Sequence, residues 1–198
     1  QTYNGYTGEK MTVVLAKALL YTHFNKKAEE LALEDYKPGD KLIPFKVVGE
    51  YKGPDLVGME YEQLIPWVKP VTVDENGKWQ EAAGQAFRVI LGDYVTTEDG
   101  TGIVHIAPTF GADDAQVAKA AGVPPLQLIN KKGELRPMVD LTGKFYKLDE
   151  LDESFVKERV NVDLYKEYAG RFVKNAYDPN LTDQDESLDV SLCMMMKA

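Results

Sequence analysis

The chain is short of the side chains that most often carry chemistry. Its one cysteine, Cys193, allows no internal disulfide and implies no oxidising compartment. The two histidines, His23 and His105, lie with that cysteine at separations that match no zinc-binding pattern, so no metal site is expected. Ser154, Ser187 and Ser191 are the only serines, and none stands in a Gly-x-Ser-x-Gly elbow. No stretch of about 18 apolar residues occurs, so a membrane-spanning helix is not expected and no membrane partner is implied. There is no charged–apolar–small leader pattern at the N-terminus, and the cytosol is the default location. Positive charge is outnumbered, 23 Lys and Arg against 32 Asp and Glu. At a net charge of −9 the chain is not expected to grip nucleic acid tightly by itself, because phosphate neutralisation supplies most non-specific affinity. Small basic clusters at Lys26-Lys27, at Lys131-Lys132 with Arg136, and around Lys166, Arg171 and Lys174 read first as solvated surface of mixed sign.

The 198 residues fit a single domain able to bury about 70% of its unfolded surface. The chain starts with Gln1 and stops in the apolar run Leu188 to Ala198, so a piece of a longer protein is expected. Short strands are expected at Met11 to Leu15, Phe45 to Tyr51, Gly58 to Tyr61, Phe87 to Leu91, Tyr94 to Thr97, Thr101 to Ala107, Leu126 to Ile129 and Arg171 to Ala176. Asp74-Glu-Asn-Gly77, Asp99-Gly100 and Lys132-Gly133 are turn signals between them. Helical spacing runs from Ala16 to Leu31, from Ala115 to Ala121 ahead of Gly122, and over Leu148 to Tyr168 with a break at Val160-Asn161-Val162. In the last of these Leu151, Phe155, Leu164 and Tyr168 are the expected core contacts. Asp178 to Asp189 is acidic and loop-like. The pattern predicts a mainly β chain with inserted helices, α+β in class, around a closed barrel-like core.

Polar chemistry concentrates in Glu98-Asp-Gly-Thr-Gly-Ile-Val-His-Ile-Ala-Pro-Thr-Phe-Gly-Ala-Asp-Asp114. A glycine turn leads into an apolar strand, the chain breaks at Pro108, turns through Gly111 and opens a helix. In a strand the period of two puts Val104 and Ile106 on one face and Ile103, His105 and Ala107 on the other. If the β-branched pair faces a core, His105 faces whatever the bend lines. Gly100-Thr-Gly102 lacks the third glycine of a dinucleotide fingerprint and leads into a strand rather than a helix. Two readings of Asp113-Asp114 stand side by side. Both can serve the helix end, one as N-cap and one beside the dipole. Alternatively Asp113 caps, and Asp114 offers a free carboxylate to a cationic group through a charge-assisted hydrogen bond.

Gly100-Thr-Gly-Ile-Val-His-Ile-Ala-Pro108 with Gly111-Ala-Asp-Asp114 resembles the signature of the editing domain inserted in isoleucyl-, valyl- and leucyl-tRNA synthetases. Lys52-Gly-Pro-Asp-Leu-Val-Gly-Met-Glu-Tyr61 is similar to the Lys-Gly-x-x-Leu-x-Gly-x-x-Tyr segment of that domain. Asn130-Lys-Lys-Gly-Glu-Leu-Arg-Pro137 with Leu141-Thr-Gly143 resembles the isoleucyl branch, which fits best of the three. The resemblance covers nearly everything from Met11 onward. It implies hydrolysis of a mischarged aminoacyl-tRNA ester, valine on the isoleucine tRNA, by a positioned water. It implies that Asp114 holds the substrate's α-ammonium group and that His105 stands near the amino-acid side chain and excludes isoleucine. It places Gly102, Ile103, Val104, His105, Ala107, Pro108, Gly111 and Asp114 against the substrate. The implied partners are the tRNA 3′ end and the rest of a parent synthetase. No cofactor is implied in this domain, ATP being used by the parent enzyme.

The family's other half-site, a strand reading roughly Thr-Thr-Thr-Pro-Trp-Thr, is expected to precede Gln1, so hydrolysis by these residues alone is expected to be weak or nil. Three other readings stay open. One is the valyl branch, clearing threonine. Another is a non-catalytic module that binds an aminoacyl-adenosine through Asp114. The third is a mere spacer with a capped helix.

Overall fold

The computed structural model describes residues 1–82, 86–182, 184 and 185. Cys193, Ser187, Ser191 and the apolar run from Leu188 lie outside the described residues. The backbone gathers into two compact units. Among the described residues, one comprises Gln1–Val57 and Ile90–His105; the other comprises Gly58–Val89 and those that follow His105.

In the first unit, β1 (Thr2–Tyr3) pairs antiparallel with β2 (Lys10–Met11), Thr2 opposite Met11. The N-terminal ammonium donates to the Lys46 carbonyl at 2.7 Å, and Thr2 Oγ1 donates to Pro44 O at 2.9 Å. These bonds hold Phe45 in the interior, its ring 4.8 Å from that of Phe24. The helix expected over Ala16 to Leu31 is broken into a 3-10 turn (Lys17–Leu19), α1 (Leu20–His23) and a second 3-10 turn (Lys26–Glu29). The cause is local. Phe24 is extended, with φ −118° and ψ 134°. Asn25 then takes the Lys27 N–H on its side chain and restarts the helix as a cap.

The second unit carries the larger core: Trp67, Val68, Val71, Leu128, Ile129, Phe145, Leu151, Phe155 and Tyr165. Two hairpins contribute to it. β3 (Val71–Val73) pairs with β4 (Trp79–Glu81), and β5 (Leu128–Ile129) pairs with β6 (Leu135–Arg136), both antiparallel. Their turns use one device. Asp74 Oδ1 accepts from the N–H groups of Asn76 and Lys78, and Asn130 Oδ1 accepts from those of Lys132 and Glu134.

Three helices complete this unit: α2 (Ala112–Ala120), α3 (Glu153–Arg159) and α4 (Val162–Tyr165). The break between α3 and α4 falls where the sequence places it, with Asn161 capping α4 through the Leu164 N–H. Leu151 and Phe155 are buried as expected. Leu164 is not; Tyr165 is the buried residue of α4, its hydroxyl donating to Tyr146 O at 2.6 Å. Burial, and then the charge of Glu150, push that phenol well above its ordinary pKa.

The class is α+β, but the closed barrel-like core is not formed: among the described residues no sheet has more than two strands. The segments expected as strands at Phe45 to Tyr51, Tyr94 to Thr97 and Thr101 to Ala107 are extended or bent without a ladder. Arg171 to Ala176 makes only a bridge, Lys144 opposite Phe172, before a 3-10 turn over Asn175–Tyr177. Gly58 to Tyr61 and Phe87 to Val89 do exchange antiparallel bonds, with Gly58 N–H donating to Val89 O, Val89 to Met59 O and Tyr61 to Phe87 O. A strand is stable only with a hydrogen-bonded neighbour and a covered face. Val47, Val48, Tyr51, Ile103 and Val104 are each at least half exposed, so their β propensity finds no such surface.

Candidate functional site

The stretch from Glu98 to Asp114 turns at Asp99-Gly100, but no hairpin follows. Gly100 and Gly102 sit at φ +60° and +72°, conformations that favour glycine. At Gly102 space is also short: a Cβ there would lie 2.5 Å from the Cβ of Ala16. The Ala16 N–H donates to Thr101 O at 2.7 Å, and the His23 ring Nε2 lies 2.5 Å from Gly100 O. His23 is thus an exposed side chain engaged with backbone.

Beyond the turn, Ile103 and Val104 are 53% and 50% exposed, so the expected sorting of alternate residues into covered and open faces does not occur. His105 is exposed and closes the first unit. Gly102, Ile103, Val104 and His105 belong to that unit; Ala107, Pro108, Gly111 and Asp114 belong to the second.

The second group is brought together. Pro108 to Phe110 form a turn closed by Phe110 and Gly111 N–H bonds to Ala107 O, at 3.0 and 3.2 Å. Thr109 Oγ1 pins the turn by donating to Leu126 O at 3.0 Å. Helix α2 starts at Ala112, three residues earlier than the spacing suggested. Its N-cap is Gly111, with no side-chain cap bond. Asp113 therefore is not the cap; it is an exposed first-turn residue beside the positive helix end.

Asp114 is half-buried, and its Oδ2 accepts the Ala107 N–H at 2.9 Å, seven residues back. A Cβ on Gly111 would stand 2.9 Å from both Cγ and Oδ2 of Asp114, so the carboxylate lies folded over the glycine. The other oxygen, Oδ1, has no hydrogen-bond partner among the described residues. Both sequence readings made an aspartate the cap, and neither Asp113 nor Asp114 is; Oδ2 of Asp114 instead fixes the bend. Thr109 and the Ala107 amide carried no signal in the sequence, because their roles depend on where Leu126 and Asp114 fall in space.

At its far end α2 closes as the sequence predicted around Gly122, which sits at φ +68°. Val123 N–H donates to Ala118 O at 2.8 Å and Gly122 N–H to Lys119 O, a Schellman-like ending that fixes the length of the helix.

Two cavities lie elsewhere in the second unit. One, of about 510 Å³, is lined by Asp74, Lys78, Trp79, Glu81, Ser154 and Arg159 among others. The second, of about 240 Å³, is lined by residues of Lys144 and of Gly170 to Leu181. Among the described residues no three His, Cys, Asp or Glu side chains converge as metal ligands, and no helix is long and apolar enough to cross a membrane.

No protein-family model matches the chain. Over all of it, the chain is 81% identical to an isoleucine–tRNA ligase of Bacteroides fragilis, 73% to that of Bacteroides thetaiotaomicron and 56% to that of Porphyromonas gingivalis. It spans 16%, 18% and 16% of the length of those proteins. The sequence match leaves no doubt of kinship: the chain belongs to the isoleucine–tRNA ligases, as one stretch of that much longer sequence.

Proposed function

We propose that this chain is an editing domain of an isoleucine–tRNA ligase, a deacylase that hydrolyses valine esterified to the isoleucine tRNA. Isoleucine and valine differ by one methylene, and a pocket discriminates such a pair only about 10–200-fold, a limit for which this pair is the standard instance. A second, hydrolytic site removes the smaller product.

The observation that carries the reading is the Asp114 carboxylate, fixed through Oδ2 on the Ala107 N–H while Oδ1 remains without a partner among the described residues. Oδ1 would accept from the α-ammonium group of the esterified amino acid, a charge-assisted bond that orients the ester. Water then attacks the ester carbonyl, the bond to the ribose oxygen breaks, and a proton passes to that oxygen, leaving free valine and uncharged tRNA. Asp114 holds the substrate in this scheme and need not take the proton. His105, by the family resemblance, excludes isoleucine through its side chain. Residues of the parent ligase complete the site. Of the branches considered, the isoleucyl one is favoured because the relatives that match over the whole chain are isoleucine–tRNA ligases.

Asp114→Asn in the full-length ligase tests this. The carboxamide oxygen can still accept from Ala107, so the bend should stand, but the charge is lost. Deacylation of valyl-tRNA should fall by roughly 100-fold or more, a loss of about 2.7 kcal/mol or more, while charging with isoleucine continues. Undiminished deacylation would show that the carboxylate serves only the bend. That outcome is the second reading, favoured by the same hydrogen bond.

A further inference from the structure

In the second unit four cations lie along one ribbon, none in an ion pair within 4.0 Å among the described residues. Residues 143–145 pair antiparallel with 171–173: Phe145 N–H donates to Arg171 O, Val173 N–H to Gly143 O, and Lys144 bridges to Phe172. Phe145 is buried in the core of its unit. Lys144 Nζ lies 4.4 Å from the centre of the Phe172 ring, and Lys174 Nζ lies 6.0 Å from that of Tyr177. Lys147 runs over Gly170, where an added Cβ would meet its stem at 3.1 Å. Arg171 is exposed beside them and, with Lys144, lines the cavity of about 240 Å³ that also takes in Asn175 and Asn180.

None of Lys144, Lys147, Arg171 and Lys174 makes an ion pair within 4.0 Å among the described residues. Three neighbouring carboxylates, Asp140, Glu150 and Asp178, accept from the backbone or side chains of their own turns, Glu150 from the Lys147 N–H at 2.7 Å, and Asp140 also feels the Lys144 charge. Asp140 Oδ1 accepts from Thr142 and from the Lys144 N–H, and Asp178 Oδ1 accepts from Asn180. Extended backbone rises about 3.3 Å per residue, so Lys144 to Lys147 and Arg171 to Lys174 each span about 10 Å. A single phosphate would need cations converging on one point. Here they are spread along a ribbon, with aromatic faces between them, the arrangement that single-stranded nucleic acid uses through its phosphates and base faces.

We propose that this ribbon, Lys144, Lys147, Arg171 and Lys174 with Phe172 and Tyr177, is an RNA-binding surface that holds the phosphate backbone and an unpaired base of the tRNA. It rests on the reading above for the identity of the RNA, and its test is independent of hydrolysis. The full-length ligase would carry Lys144→Gln, Arg171→Gln and Lys174→Gln together, with a matched control of Lys131→Gln, Lys132→Gln and Lys157→Gln. Direct binding of the isoleucine tRNA should weaken about tenfold in the first variant, and the slope of log affinity against log salt should fall by about two. The control should bind as the unaltered ligase does, and the KM for ATP should not move in either.

Unchanged tRNA affinity overturns the proposal. Equal weakening in both variants would assign the effect to bulk charge, and a raised KM for ATP would assign the site to a nucleotide; either overturns it. A ligase that binds tRNA through this ribbon but never deacylates it would support the surface and refute the deacylase.

Discussion

Two glycine turns in this molecule have opposite surroundings. The turn at Asn130 to Gly133 joins β5 to β6, and the residues before it, Leu128 and Ile129, are at 0% and 2% exposure. The turn at Asp99 to Gly102 leads into Ile103 and Val104, at 53% and 50%, and no ladder forms. Gly133 and Gly102 have nearly the same φ, +77° and +72°. The last glycine of each turn is thus left-handed alike, but the first turn is closed by Gly133 N–H to Asn130 O and by the Asn130 side chain, and its strands are covered. In the first, Phe155 and Leu151 supply an apolar surface, and Asp152 N–H donates to Ile129 O at 3.0 Å. A two-stranded hairpin alone is marginal in water. The hairpin persists where a helix lies against it.

The comparison breaks most directly at Phe155. It is fully buried and meets the Trp79 ring edge-on at 6.0 Å. Phe155→Ala should cost about 3–5 kcal/mol. Hydrogen exchange should show Leu128 to Arg136 losing its protection, while Thr101 to His105, never covered, stays as fast as before. If the 128–136 amides keep their protection, covering by α3 is not what sustains the hairpin.

The two glycines sharpen it next. Alanine at either position adopts a left-handed conformation that costs about 1–2 kcal/mol. At Gly133 nothing lies within 4 Å of the added methyl, whereas at Gly102 it would meet Ala16 at 2.5 Å. Gly102→Ala should therefore destabilise its unit clearly more than Gly133→Ala destabilises the other. The denaturant midpoints of the two variants would show it, and equal losses would mean that backbone conformation alone decides.

How much could be read from the letters follows the same division. Asp74 to Gly77, Lys132-Gly133, the Asn161 interruption and the burial of Leu151 and Phe155 were legible, because each depends on a local side-chain-to-backbone bond or on helical spacing within a covered unit. The strands at Phe45 to Tyr51 and Thr101 to Ala107 were not. Valine and isoleucine show that a residue suits a sheet, not that a neighbouring strand is present. At the site, the bend through Pro108 and Gly111 was legible from the motif. The capping assignment was not: an extended glycine, Gly111 at φ −107° and ψ 129°, serves as N-cap, and the helix moves three residues upstream. That shift turns Asp114 back toward Ala107, a contact no spacing rule anticipates.

Gly111 gives a smaller and more local effect. An alanine there would press on the Asp114 carboxylate at 2.9 Å, the end of a movable side chain rather than backbone. At an ordinary φ it carries no left-handed strain, in contrast to Gly102 and Gly133. Gly111→Ala should leave the melting temperature nearly unchanged. In the full-length ligase it should lower deacylation of valyl-tRNA about tenfold, about 1.4 kcal/mol, with isoleucine charging intact. A large drop in melting temperature instead would make this glycine part of the scaffold.

The mildest expected effect lies at the helix that covers the first turn. Asp152 caps α3, its Oδ1 accepting from the Ser154 hydroxyl at 2.5 Å and from the Phe155 N–H at 2.9 Å. The Ser154 hydroxyl foremost, and then the Phe155 amide, hold its pKa below the usual carboxylate range. A carboxyl whose folded pKa is depressed contributes stability that is present above its unfolded pKa of about 3.9, and that is lost as pH falls through the lower folded value. Asp152→Asn keeps a cap but removes the titration, and at neutral pH it should cost no more than about 1 kcal/mol. The gap in stability between the unaltered chain and this variant should be full at pH 7 and should close progressively below about pH 4. A gap constant down to acid pH would show that the cap holds the covering helix by geometry alone, with charge adding nothing to the persistence of the β5–β6 hairpin.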